Sequence, residues 1–552
     1  MIETIEVKIN NKTYKYSKGI TVQEILTEHQ QNYKYPVILA RINNRLRELS
    51  ENLEEDSKIE FLDLTSSEGN RSHINGLILV LLYAIRTLYG KKATIRVEHS
   101  LDKGLYVKTG FKLTEDKLNS IKLIMSEIVK KDLPINKLNI DRIEAINYYK
   151  EIGDETKSGV LKYITDNYVT LYRLGNVYDY FFSLMPTATG GLEDFDLTYI
   201  DDSSFVLRFP TVYINDKIKK YQHHPHMFEV FREYKDWANL IGIKDSIDLN
   251  RVVSTGKISD LIKIDETLQS NRLLNVAKEI YSKRKKVKIV LMAGPSSSGK
   301  TTTSRKLCMY LKSFGLQPKT IGMDDYFVER TETPQDENGN PDFECLEAVD
   351  LKLFDKQMLQ LLNGDKVKIP TYNFALGTKE YHDEMKLEDN DILIIEGIHA
   401  LDTKVLTNIP RDRKFKIYIS PLTELNLDSH NRIPTTDNRL LRRIVRDNRT
   451  RARDVGKTIE EWNNVRSGEK KYIYPFINNI DYILNTSLVY EIGVLKVFVE
   501  PLLYSVKSDS PSYNEARRLI GNLKIFFPIP SDYVNEDSIL REFIGKSAFN
   551  SI

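Results

Sequence analysis

Cysteine is nearly missing from this chain: 552 residues hold two, Cys308 and Cys345. Two cysteines so placed form neither a zinc-ligand spacing nor a disulfide framework, and they point to a reducing cytoplasm. An excess of one charge is missing as well. Lys and Arg number 80 against 78 Asp and Glu, a formal net charge of +2. That balance argues against a polyelectrolyte binder of nucleic acid and leaves room only for a local basic face. No apolar run is long enough to span a bilayer. The longest, Ile74 to Ile85, ends at Arg86 and reads as a buried helix, so no membrane partner is expected. The opening MIETIEVKIN alternates as a strand does and lacks the form of a signal peptide. Sequence repeats and low-complexity tracts are absent. What remains is a globular composition, 41% apolar and 29% charged, in a chain too long for one core. Three or four domains are expected.

The pattern changes several times along the chain. Residues 1–65 are β-rich: Ile2–Lys8 and Thr13–Tyr16 alternate around Asn10-Asn11-Lys12, a hairpin signal. Thr21 with Glu24 predicts a capping box for a helix through Glu28, followed by strands at Val37–Ile42 and Lys58–Leu62. This order suggests a β-grasp. Residues 66–212 read as α+β, with helices over Ile74–Leu88 and Glu115–Lys131 and strands at Tyr168–Tyr172 and Ser204–Phe209. Residues 213–284 read as a polar helical connector. Its His223-His224-Pro225-His226 lacks Cys or acidic partners at ligand spacing, which disfavours a metal site. From 285 to 510, short apolar runs recur at Val287–Met292, Ile392–Ile395, Phe415–Ile419 and Tyr482–Leu484. Runs of this kind suit strands buried on both faces, and helical segments between them predict a doubly wound parallel sheet. Residues 511–552 form a C-terminal extension. The fold class is therefore multidomain α/β.

The chemistry is carried by GPSSSGKTT at 294–302. A loop of this pattern between a strand and a helix turns backbone N–H groups inward around phosphates. Gly294, Ser296, Ser297, Ser298 and Gly299 would cradle the phosphates of ATP, with Thr301 and Thr302 opening a helix whose dipole adds to the anion site. Lys300 would place a point charge on the β- and γ-phosphates, and Thr301 would hold Mg²⁺. Glu396, at the carboxyl end of a buried strand, is the candidate second ligand for Mg²⁺. Asp324, just after the second strand, is placed to accept a proton from an attacking hydroxyl. Between Arg439 and Arg453 stand seven arginines and one acid, Asp447. Planar guanidinium forks suit a phosphate clamp; an RNA-facing patch is the alternative.

Together, GPSSSGKTT, MDDYF at 323–327, Pro370-Thr-Tyr372-Asn-Phe374, IIEGIHAL at 394–401 and RLLRRIVRDNRTRARD at 439–454 resemble the uridine kinase family of P-loop kinases, with its phosphoribulokinase-like relatives. The resemblance covers about residues 285–490. It implies that Asp324 is the general base, counted with Thr301 and Glu396 among the Mg²⁺-binding residues, that Tyr326, Glu344 and Tyr372 line the acceptor pocket, and that Arg443, Arg446, Arg451 and Arg453 close over the phosphates. Arg446 and Arg451 are then catalytic, Arg453 contacts ATP and Arg443 contacts the acceptor. Two departures stand out. Glu344 replaces the family's ribose-binding aspartate, and Gly377 stands where a base-reading histidine is found. Residues 1–63 resemble the TGS domain of threonyl-tRNA synthetases. Residues 66–210 resemble those enzymes' editing domain, through Ser72-His73-Ile-Asn-Gly, Leu133-Pro134-Ile135, Leu171-Tyr-Arg-Leu-Gly175 and Asp179-Tyr-Phe-Phe-Ser-Leu-Met-Pro186. Leu77, Phe181 and Met185 occupy positions where that chemistry needs His or Cys, so the module reads as degenerate and His73 as structural.

Three functions stay open on the sequence. The first is a nucleoside kinase using ATP with Mg²⁺. The second is a kinase of another small alcohol or sugar, favoured by Glu344 and Gly377. The third is a nucleotide-gated regulator that binds tRNA-like RNA. A homo-oligomer is compatible with each.

Overall fold

The computed structural model describes residues 3–549, apart from 102, 213–217, 219–224, 336–338, 340, 375 and 424. Of the histidine cluster, His223 and His224 lie outside the described residues. Residues 4–63 form a mixed five-stranded sheet in the order Lys12–Ser17, Thr4–Ile9, Ser57–Asp63, Val37–Ile42, Arg45–Glu48. The strands Thr4–Ile9 and Ser57–Asp63 run parallel, and the other neighbours run antiparallel. Strict alternation in Thr4–Ile9 sends Ile5, Val7 and Ile9 inward, onto the helix Val22–His29. Thr21 and Glu24 cap that helix reciprocally, as the capping box requires. Asn10 and Asn11 take positive φ of 47° and 66°, the turn that matches strand twist. Asn43 and Asn44 repeat the device before Arg45–Glu48, a strand too short and polar to be anticipated.

In residues 67–208, two antiparallel sheets pack with helices. One has the order Asp196–Asp201, Ser204–Arg208, Gly104–Thr109, Ile95–Leu101; the other has Val177–Asp179, Tyr168–Leu174, Ile135–Asp141. The helix Ser67–Tyr89 is long and apolar enough to cross a membrane by composition, yet two-thirds of that stretch is buried inside the molecule. Leu77 through Leu82 lie in the core with Glu115–Lys130 packed alongside. The connector helices Pro225–Ile241, Ser246–Ser254 and Ile258–Ser282 dock on the next domain. The Tyr234 hydroxyl and the Gln269 amide both donate to Asn485 O, at 3.0 and 2.9 Å.

The third sheet has five parallel strands in the order Gln317–Gly322, Asp391–Glu396, Ile289–Ala293, Lys414–Ser420, Tyr482–Asn485. Every residue of Ile289–Ala293 is buried, as both-faced coverage by helices demands. The chain beyond 510 is part of this domain's core. Leu519, Ile520, Phe526, Leu540 and Phe543 share one apolar cluster with Leu440 and Ile444 of the helix Thr435–Arg451.

Candidate active site

The strand order brings the chemistry together. Asp391–Glu396 lies between the strand feeding the 294–299 loop and the strand feeding Asp324, so Glu396 sits level with both Met292 and Gly322. Ligands bind beyond the carboxyl ends of such strands.

The loop turns tightly. A Cβ on Gly294 would stand 2.3 Å from Ile419 O, and Ser297 and Gly299 adopt left-handed φ of 60° and 85°. Non-glycine residues held there mark functional strain. The Ser297, Ser298 and Thr303 hydroxyls are buried and have no hydrogen-bond partner. Orphaned polar groups around a loop of inward N–H groups are what a phosphate would satisfy. Lys300 Nζ folds onto the loop, donating to Gly294 O at 2.8 Å and to Pro295 O at 3.3 Å. Burial holds its ammonium below the usual range, against the charges of Glu396, Asp324 and Glu542.

Asp324 and Glu344 are open to solvent but set in a cleft with protein on most sides. That enclosure raises both carboxyls. Lys300 opposes the shift at Asp324; Glu469 adds to it at Glu344, where Arg443 opposes it. Asp325 is spent elsewhere, accepting the Tyr372 N–H at 3.3 Å, so Asp324 is the acid left to face a ligand. Glu396 is raised in the same way, by burial against the pull of Lys300. Its neighbour Ser304 lies 3.5 Å away through Oγ. Carboxylate and hydroxyl oxygens in a site of few acids suit Mg²⁺ completed by phosphate and water. Among the described residues no cluster of three or more His, Cys, Asp or Glu forms a closed metal cage.

Phe327, Phe343, Tyr372 and Phe374 form an aromatic wall beside the acids, with ring centroids 5.1–6.5 Å apart. The Tyr372 hydroxyl is buried and unpartnered. Tyr326 is different. It is fully buried against Phe354, and its hydroxyl donates to Gln357 Oε1 at 2.7 Å, so it supports the core and does not line the cleft. The 3₁₀ turn at Met323–Tyr326 aims consecutive side chains in different directions, which adjacency in sequence did not reveal. Gly377 has φ +76°, and a Cβ there would stand 2.7 Å from Arg330 Cβ. Backbone and neighbour alike disfavour a side chain at 377.

The arginines divide. Arg439 forms a buried ion pair with Glu469 and donates to Ser296 O at 2.9 Å. Arg442 is buried on Glu491 at 2.6 Å. Arg443 donates to Ser296 Oγ at 2.9 Å. Asp447 gathers Arg443, Arg446 and Arg451 at 3.3, 2.8 and 3.5 Å, and Arg453 pairs with Glu461. Two acids that accept hydrogen bonds from the loop and from the helix it opens were not anticipated. Glu469 accepts the Ser296 N–H at 3.2 Å, and Glu542 accepts the Thr302 N–H at 3.1 Å. No motif marks either one; Glu542 lies 240 residues from its partner.

The Phosphoribulokinase / Uridine kinase family matches residues 289–492. Those residues form a kinase domain of that family, an ATP-dependent phosphotransferase. The uridine kinase of Staphylococcus haemolyticus is 28% identical over 197 residues, covering 36% of this chain and 86% of the relative. That of Oceanobacillus iheyensis is 25% identical over 202 residues, covering 36% and 87%. A solved structure titled "Possible Uridine Kinase" from Bacillus stearothermophilus is 20% identical, with a TM-score of 0.27 over 39% of this chain and 98% of that one. The family match spans all five strands of the parallel sheet and does not extend to the N-terminal half. In that half His73 is fully buried with both ring nitrogens unpartnered, and Leu77, Phe181 and Met185 are buried as well.

Proposed function

We propose that this chain is a nucleoside kinase, converting ATP and a nucleoside to ADP and the 5′-monophosphate. The observation that carries the reading is the cleft where Asp324 and Glu344 face solvent beside Lys300 and an aromatic wall. Asp324 accepts the 5′-hydroxyl proton as that oxygen bonds to the γ-phosphorus and the bond to the ADP oxygen breaks. Glu344 takes the ribose hydroxyls and the Phe327–Tyr372 wall stacks the base. Lys300, released from the Gly294 and Pro295 carbonyls, neutralises the phosphates, with Arg443, Arg446, Arg451 and Arg453 closing from the lid side. Thr301 and Glu396 would hold Mg²⁺, which supplies charge neutralisation on the phosphates when bound. The two free cysteines agree with a cytoplasmic enzyme.

A second reading, a kinase of another small alcohol or sugar, is favoured by position 377. With no side chain there, the base-reading histidine is missing from that position and Arg330 fills the space instead, which weakens the case for strong discrimination among pyrimidine nucleosides. A panel of nucleosides, sugars and sugar phosphates read through ADP release separates the two. Exclusive turnover of a non-nucleoside overturns the first reading. For the N-terminal half we propose a TGS-like unit at 1–65 and a degenerate editing-like unit at 66–212 that serve as a recognition scaffold. Filter binding of tRNA across a salt series tests that role through the steep salt dependence of phosphate contacts.

A further inference from the structure

The segment after 529 lies along one face of the P-loop helix Lys300–Ser313. Ile539 fills the space a Cβ on Gly299 would need, with Cγ2 2.5 Å from that position. The Glu542 carboxylate accepts the Thr302 N–H at 3.1 Å. Asp537 pairs with Lys306 at 3.0 Å, and Phe549 O accepts from Arg305 at 3.1 Å. Positions 299, 302, 305 and 306 share one helical stripe, so this is a continuous dock. From the other side Arg449 donates to the Glu542 and Phe543 carbonyls, at 3.3 and 3.1 Å. The segment is therefore gripped by both elements that face the phosphates.

The first amides of a helix have no partner within it and attract anions. In this chain one of them already holds an anion, supplied by the protein. Glu542 also lies close enough to Lys300 and Glu396 to act on the charge of each. A phosphate oxygen arriving at the first turn of this helix meets an occupied donor and a like charge. The segment itself is anchored, because Ile539, Leu540, Phe543 and Ile544 are buried in the core, so any displacement from Thr302 falls to the Glu542 side chain.

We propose that Glu542 is a built-in competitor for the phosphate site, a carboxylate gate that the triphosphate of the donor must displace from Thr302 before Lys300 can engage it. The proposal rests on the P-loop being the nucleotide site.

The test is calorimetric titration of the full chain, wild type and Glu542→Gln, with ATP, with inorganic tripolyphosphate and with adenosine, alongside melting temperatures. Removing the charge should tighten both ATP and tripolyphosphate by at least about tenfold, the scale of one charge-assisted hydrogen bond, and leave adenosine unchanged. Equal or weaker binding of ATP by a Glu542→Gln protein that melts like wild type overturns the gate and makes Glu542 a support of the loop. If neither protein binds ATP or tripolyphosphate, the P-loop reading fails and the gate fails with it. A crystal structure of the wild type with a non-hydrolysable ATP analogue decides the matter without a variant. Glu542 rotated away from Thr302 supports the gate, and Glu542 still accepting the Thr302 N–H with phosphates in the loop overturns it.

Discussion

Two enclosed lysines show how differently this chain treats charge in two of its regions. Lys157 lies at the seam between the second unit and the kinase domain, with its side chain 1% exposed. Its ammonium is 2.8 Å from Asp179 and 3.4 Å from Asp428, and it donates to Tyr180 O at 2.8 Å. Asp179 is held in turn by His430 at 2.7 Å. Burial alone would depress Lys157, but Asp179, Asp428 and Asp154 outweigh it and raise its ammonium above the usual range. At Lys300 the balance goes the other way: burial outweighs nearby acids, and its ammonium donates to the Gly294 and Pro295 backbone carbonyls. A lysine saturated with carboxylates is a structural joint. One short of negative charge is poised for an anionic ligand. Orphaned buried polar groups, by contrast, occur in both regions: the His73 ring nitrogens in one, and the Ser297 and Ser298 hydroxyls of the phosphate loop in the other.

The largest expected effect breaks the comparison at its active end. Lys300→Ala should cost about 10³–10⁵-fold in phosphoryl transfer, the range of a cation acting on the transferred group, with an unchanged melting temperature. Steady-state ADP release checks this, and activity within tenfold of wild type would refute the assignment. Asp324→Asn comes next. Loss of the proton acceptor should lower kcat by about 10²–10⁴-fold while ATP affinity holds, whereas Asp325→Asn should disturb chiefly the hairpin bearing Tyr372 and so raise KM for the acceptor. If Asp325→Asn has the larger effect on kcat, the roles of the two acids are reversed.

At the structural end, Lys157→Met leaves Asp179 and Asp428 buried without their cation. It should destabilise the folded state by about 3–5 kcal/mol, measured by urea denaturation. A neutral result would show that the seam is not held by charge.

The smallest effect is a slope with pH. Burial pushes the Asp265 carboxyl up to about 7 from an ordinary 3.8. Between those values the folded state holds a proton that the unfolded chain has released, so stability falls as pH rises through the window and levels off above it. His73 works in the opposite sense: burial lowers it from 6.5 to about 4, so its contribution is lost as pH falls through that range. Asp265→Asn keeps an acceptor for the Val489 N–H, which the carboxylate now takes at 2.8 Å. Melting curves from pH 4 to 8 should flatten at the upper end in that variant. An unchanged slope would rule out Asp265 as its source.

Much of the fold was legible because its causes are local. Apolar runs bounded by turns located four of the five parallel strands, and the Thr21–Glu24 capping box appears where the spacing placed it. The polar edge strand Arg45–Glu48 and the hairpin Val367–Asn373 with Thr378–Met385 escaped, since neither has an apolar face long enough to set a period. Within the site, Lys300, Asp324 and Glu396 follow from strand ends in a parallel sheet. Tyr326 was misplaced because a 3₁₀ turn, and not its neighbours in sequence, sets its direction.

The sequence by itself determined that a phosphate loop, an acid after the second strand and an arginine-rich helix belong to one kinase domain. Those signals are periodicities and short spacings, written within a few residues of each other. Only the tertiary structure decided which acid faces the cleft and which arginines are already spent on Glu469 and Glu491. It alone joined Arg71 to Glu515, Glu515 to Arg518 and Arg518 to Asp437, tying the N-terminal half to the arginine helix. It alone set Glu542 on Thr302. The reason is physical: a charge acts on whatever lies within a few ångströms in space, and folding brings together groups that no local pattern relates.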